Sequence, residues 1–273
     1  MIIAEGSILW GAIAGYAVAA ALFLSGWVFH SERRLRWAWL VFPWAFALHT
    51  LAVAVRWAAS GHPPVAEPIE HAAAGAWFAG VVYLVAAWRR ESLRPLGLVA
   101  AAVALIMLGC GVMAENEIRP LAPPFQSNWL WVHVGFAWLS WGSFVAAAGL
   151  GLFYLIKSHR APRAGGFLQR LPAPARMEDL TFRFILFGFI GQGLMIATGA
   201  IWAHGLWGSY WSWDPIETWS LISWLVYGLF LHFRLMFGMR GRTAAWYALL
   251  ALITNIIYFW GIGFVPATHT QLL

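Results

Sequence analysis

The chain has 273 residues, 62% hydrophobic and only 10% charged, with 17 Lys and Arg against 11 Asp and Glu for a formal net charge of +6. A mean hydropathy of +0.70 means more apolar surface than a soluble domain can hide, so the composition excludes a soluble globular protein. The basic residues fall in short clusters between apolar runs, a topology signal rather than a surface for nucleic acid.

Apolar runs of roughly 20 residues, enough to cross a bilayer core, lie near 7–29, 37–57, 71–88, 95–113, 129–156, 184–203, 218–236 and 243–263. They predict an all-α, polytopic membrane protein of eight transmembrane helices in one domain spanning 1–273. The N-terminus before the first run has no basic segment and carries Glu5, so residues 7–29 read as a retained helix and not a cleaved signal. Arg33, Arg34 and Arg36 follow the first run, and Arg89, Arg90 and Arg94 follow the third. Lys157 and several arginines follow the fifth, and Arg234, Arg240 and Arg242 follow the seventh, while only Arg56 and Arg119 fall in the alternate loops. By the positive-inside rule the basic connections are cytoplasmic and both termini lie outside. The longest connection, 157–183, rich in Arg, Gly and Pro, is expected to be a cytoplasmic linker. The lone cysteine, Cys110, excludes an internal disulfide or a Cys-x-x-Cys redox pair, and is expected to be a small buried hydrophobe.

Ionisable side chains inside membrane helices are functional candidates by default. His49, in the second run, has three readings: interhelical hydrogen-bond partner, proton relay or cofactor ligand. His62 and His71 read as loop and interface residues. Ser127 or Asn128 caps the fifth helix, which places His133 about 7 Å below the cap. His232 lies about 21 Å into the seventh helix, too deep to reach the outer face. His269 follows the last run and returns to the outer side.

Twenty tryptophans exceed what two interfacial belts require. Trp202, Trp207, Trp211 and Trp213 crowd one outer segment, 202–217. An ordinary helix does not aim Trp207, Trp211 and Trp213 together, so an irregular segment is expected there. Asp214-Pro215-Ile216-Glu217 has the form of a helix start: an N-cap acid, proline at the first position and glutamate at the third. Asp214 is thus an organiser of the aromatic segment.

Residues 207–219, WGSYWSWDPIETW, resemble the tryptophan-rich WWD motif of haem-handling membrane proteins of cytochrome c maturation. The continuation to Leu-His232-Phe-Arg234 is similar to the CcsA (ResC) branch of System II, as is Gln126-Ser-Asn-Trp-Leu-Trp-Val-His133-Val. Ile216 stands where that family usually has Lys, and Ala-Thr-His269-Thr replaces its Gly-Leu-His-Ser-Tyr. The resemblance implies haem b carried as cargo, held on the outer face by His133 and His269 as paired axial ligands. Trp202, Trp207, Trp211 and Trp213 would orient the ring, with His204 as an alternative ligand should His269 fail. His232 would bind a second, intramembrane haem. His49 does not match its depth, and His30, beside Glu32, reads as interfacial, so the second ligand is expected from another chain, a CcsB-like subunit.

The implied activity is that of a cytochrome c synthase subunit, a haem lyase. It would join the two thiols of an apocytochrome Cys-x-x-Cys-His segment to the haem vinyl groups, chiefly by positioning. The implied location is the bacterial inner membrane, ahead of the plastid thylakoid. Two other classes stay open: a haem exporter without lyase activity and a haem-sensing membrane scaffold.

Overall fold

The computed structural model describes residues 2–114, 120–159 and 167–261. His269 and Arg119 lie outside the described residues. The helices are α1 (Ile2–Val28), α2 (Glu32–Ser60), α3 (Pro68–Arg89), α4 (Gly97–Val112, entered through the 3-10 turn Glu91–Leu96), α5 (Asn128–His159), α6 (Phe167–Arg170), α7 (Pro174–Trp207), α8 (Pro215–Met236) and α9 (Gly241–Ile256), the last running into a π turn, Ile257–Gly261. Eight helical segments among the described residues are long and apolar enough to cross a bilayer. The protein is an eight-helix, multi-pass membrane protein, as its apolar runs predict.

The chain divides into two compact units, one of residues 1–121 and 156–177, the other of 122–155 and 178–273. In the first unit, α1 buries Leu9, Ala12, Tyr16, Ala19 and Phe23. Its hairpin partner α2 buries Leu35, Ala38, Phe42, Ala45, His49, Ala52 and Arg56. Both sets alternate steps of three and four, the seam spacing of a left-handed pair. Small residues let the backbones close, because lipid supplies no hydrophobic drive and packing must. A Cβ on Gly15 would sit 2.8 Å from that of Ala45.

Arg56 is therefore not a loop residue. It lies in α2, buried, donating from Nε to Glu70 Oε1 (2.8 Å) and from Nη1 to Glu5 Oε1 (3.1 Å). Glu70 also accepts from the backbone N–H groups of Ala66 and Glu67 (3.0 and 3.3 Å). One guanidinium thus ties α1, α2 and the start of α3. His49 is fully buried in the same seam, its Nδ1 3.2 Å from the Tyr16 hydroxyl.

Two further expectations are corrected. Residues 157–183 are not a plain linker: α5 runs on to His159, α6 intervenes, and α7 starts at Pro174, ten residues before its apolar run. Side-chain pairing supports this extension, with Arg183 Nε on Asp179 Oδ2 (3.1 Å, one turn apart) and Arg234 Nη1 on Glu178 Oε2 (3.3 Å). Lys157 Nζ donates to the carbonyls of Leu171 and Pro172 (3.0 Å each), which fixes the chain before α7. Cys110 is exposed on α4 rather than buried, since an apolar side chain in a bilayer has no need of a protein neighbour.

The second unit is built on α5, whose middle turns are almost wholly buried. Phe144 of α5 stacks on Tyr227 of α8 (3.5 Å between centroids, 4° between planes). Phe189 of α7 stacks on Trp224 of α8 (4.6 Å), whose indole N–H reaches the Phe189 carbonyl (3.0 Å). Asn255 of α9 donates to Ser223 Oγ of α8 (2.7 Å). These contacts hold the bodies of α5, α7, α8 and α9 together.

Candidate haem-handling site

The site begins where α7 stops. Gly208, at φ +70°, ends that helix, and residues 208–214 have no regular structure until α8 starts at Pro215. The expected irregular segment is there, although Trp202 and Trp207 still belong to the helix. Asp214 caps α8, accepting from the Ile216 N–H (3.0 Å). Glu217 closes the box by accepting from the Asp214 N–H (3.3 Å), and also takes Ser212 N–H (2.7 Å) and Ser212 Oγ–H (3.1 Å). Both carboxylates are buried. The end of the irregular segment, Ser212 to Asp214, is thus held from the first turn of the next helix.

That hold forces Trp213 to φ +60°, the left-handed region that non-glycine residues rarely adopt. Such a residue costs about 1–3 kcal/mol and persists only where its surroundings over-determine it. The residue is 68% exposed, and its ring meets Trp211 edge-on (5.7 Å, 88°). Trp202 likewise meets Trp207 edge-on (5.6 Å, 74°), and its indole N–H donates to the Pro124 carbonyl (3.0 Å).

His133 sits on α5 beside this cluster. Its Nδ1–H donates to the Met195 carbonyl of α7 (2.8 Å), and its ring lies roughly parallel to Trp202 (6.4 Å, 28°). With the proton on Nδ1, the lone pair of the neutral ring is on Nε2, the tautomer by which most histidines bind metal. Gly199 makes room for the ring: a Cβ there would stand 2.6 Å from Nδ1 and 2.8 Å from Cε1. A cavity of about 70 Å³ opens beside it, lined among others by His133, Trp202, Tyr210, Trp211, Glu217 and Tyr258. The Trp211 Nε1–H is buried there with no acceptor among the described residues.

The structure brings His133, Trp202, Trp207, Trp211, Trp213 and Asp214 together in one unit. His232 is in the same unit but near the far end of α8, exposed, with its ring against Phe237 (5.6 Å, 72°). His49 belongs to the other unit. His204 is exposed and stacks on Tyr210 (4.1 Å, 16°). Met195, Gly199, Tyr210 and Tyr258 are site residues that sequence reading missed. Only Gly199 carried a signal, a glycine four residues after Met195 on a helix that must pass a large ring.

The sequence profile of the family described as "Cytochrome C assembly protein" matches residues 67–269. The chain belongs to this family. It falls in the CcsA branch: the cytochrome c biogenesis protein CcsA of Parasynechococcus marenigrum (strain WH8102) is 32% identical over 273 residues, covering 89% of this chain and 88% of that one. CcsA of Chlamydomonas reinhardtii is 32% identical over 228 residues, covering 80% of this chain and 63% of its own. Among solved structures, the cytochrome c heme lyase CcmF is similar in fold, with a TM-score of 0.71 at 18% identity over 93% of this chain. This CcsA-family chain spans 46% of the length of that CcmF chain. The WWD segment, α5 with His133, and α8 all lie within the matched family region.

Proposed function

We propose that this protein presents haem at the outer membrane face for covalent attachment to apocytochrome c, as the System II synthase subunit acting with a CcsB-like partner. The observation that carries the reading is the Nδ1–H bond from His133 to the Met195 carbonyl, beside the WWD segment. That bond orients the ring and sets Nε2 as the ligating atom. The unmatched Trp211 N–H supplies a donor for a polar edge, and the exposed Trp213 ring an apolar face. The donor chemistry fits haem.

The volume sets a condition. A cavity of about 70 Å³ is well below the roughly 300–1,000 Å³ that encloses a drug-sized ligand. A haem is therefore too large to be enclosed by this cavity and would lie largely against the exposed aromatic face. Haem is the cargo, with its vinyl groups as the electrophile and the apocytochrome's cysteines as the thiols. This chain's side chains bind and orient, contributing chiefly proximity. His269 serves as the second axial ligand, and His232 receives an intramembrane haem together with a histidine from the partner.

The test is co-expression with a CcsB-like subunit and an apocytochrome bearing Cys-x-x-Cys-His, reading covalent haem after denaturing electrophoresis. Wild type gives thioether-linked haem, and His133→Ala gives none until imidazole is added. Haem bound to this protein with no covalent product from wild type would favour an exporter and contradict the lyase reading.

A further inference from the structure

A second cavity lies far in sequence from the WWD segment, inside the first unit. It measures about 440 Å³ and is lined by Phe23 of α1, Arg36, Trp39 and Leu40 of α2, Arg94 at the entry to α4, and Arg170 of α6, among others. Phe23 is one turn and a half from the end of α1, and Arg36 about one turn from the start of α2. The cavity is therefore at the level where helices leave the hydrocarbon.

Its chemistry is divided. Phe23, Leu35, Trp39 and Leu40 form an apolar wall, and three arginines face one carboxylate, Glu91. Arg94 lies over the Trp39 ring (4.8 Å) and donates from Nη2 to Glu91 (2.7 Å), but its Nε–H is buried with no partner among the described residues. Arg170 donates to Glu32 Oε1 (3.0 Å). Arg36 is exposed and pairs with no carboxylate among the described residues. The floor is rigid. Tyr83 Oη–H donates to the Arg94 carbonyl (3.0 Å), and a Cβ on Gly97 would meet Phe23 and the Tyr83 hydroxyl at 2.4 Å each.

We propose that this cavity is a binding site for one anionic phospholipid, its phosphate held by Arg36 and Arg94 and its acyl chains laid along Leu40 and Trp39. Guanidinium groups bind phosphate oxygens by directed pairs of N–H bonds, and arginine is suited to this where planar recognition is needed. A basic pocket between helices at one membrane surface is the expected form of a headgroup site. The excess of arginine over glutamate selects an anionic headgroup over a zwitterionic one. Arg94, already stacked on Trp39, needs little ordering to bind.

The test is lipid retention by the full chain. The protein is reconstituted in nanodiscs of phosphatidylglycerol or of phosphatidylcholine, exchanged into detergent, and its bound phospholipid is measured by native mass spectrometry. Wild type retains one phosphatidylglycerol and no phosphatidylcholine. R36Q/R94Q weakens retention about thirtyfold, since each basic residue gives roughly 1 kcal/mol against an anionic leaflet. R33Q/R34Q, in the first turn of α2 but outside the cavity, retains lipid as wild type does. Should R36Q/R94Q fold poorly, R36Q alone serves, because Arg36 is exposed and unpaired, and a fall of about fivefold is expected. Equal retention of the two lipids, or undiminished retention by the arginine variants, overturns the proposal. So does loss of bound haem with lipid unchanged, which would make a haem carboxylate the occupant.

Discussion

Gly199→Ala is the substitution in which the geometry of the site speaks most directly. The new methyl would stand 2.6 Å from His133 Nδ1 and 2.8 Å from Cε1, so the ring must swing away. The 2.8 Å bond to the Met195 carbonyl is then lost, and with it the tautomer that puts the lone pair on Nε2. In helix propensity, Ala gains about 1 kcal/mol over Gly. Overpacking costs about 1–3 kcal/mol, so the net loss of stability is about 0–2 kcal/mol. The loss of haem affinity should be larger in proportion, since removing the group that orients a ligating histidine typically costs 10–100-fold. Haem titration followed by absorbance, with thermal unfolding in the same detergent, separates the two. Gly205→Ala, on the same helix with nothing within 4 Å, is the control: it should leave haem affinity unchanged and stability unchanged or raised by up to about 1 kcal/mol. A G199A protein that binds haem with wild-type affinity and spectrum would refute the role given to the His133–Met195 bond.

Other outcomes follow from the same contacts. Asp214→Ala should lower stability by about 1 kcal/mol through loss of the cap and should abolish haem attachment. Asp214→Asn, which still caps, should retain attachment if Asp214 organises the segment, so the pair of variants, read by melting temperature and covalent product, checks that role. Trp213→Gly relieves a left-handed backbone at an exposed position and should leave melting unchanged or raise it, while attachment falls; a large drop in melting temperature would contradict the strain argument. Arg56→Gln strands two buried carboxylates, Glu5 and Glu70, and should destabilise by about 3–5 kcal/mol as measured by thermal unfolding, more than R33Q on the surface.

The sequence was legible where one segment carries its own signal. The eight spans declare themselves because lipid demands an unbroken apolar run, and Asp214-Pro215-Ile216-Glu217 declares a helix start because a cap is made by neighbours in sequence. What escaped reading depends on distant partners. The first ten residues of α7 interleave charged and apolar side chains and so break the apolar run, and the pairing of Glu178 with Arg234 joins residues on two helices. Arg56 resembled a loop charge because its carboxylates come from α1 and α3. Cys110 was assigned to the interior by a rule drawn from proteins in water, where an exposed apolar side chain is costly; in lipid it is not. His133 was singled out by its resemblance to known ligands, but the carbonyl that orients it lies 62 residues away, and no spacing announces it.

The central claim is that His133 ligates the iron through Nε2. The most direct measurement is the absorption and resonance Raman spectrum of the purified, reduced protein with bound haem, comparing wild type with His133→Gly before and after imidazole is added. A six-coordinate spectrum in wild type, its loss in the variant, and its return with imidazole are the expected results. An unchanged six-coordinate spectrum in the variant without imidazole would show that the iron is held elsewhere.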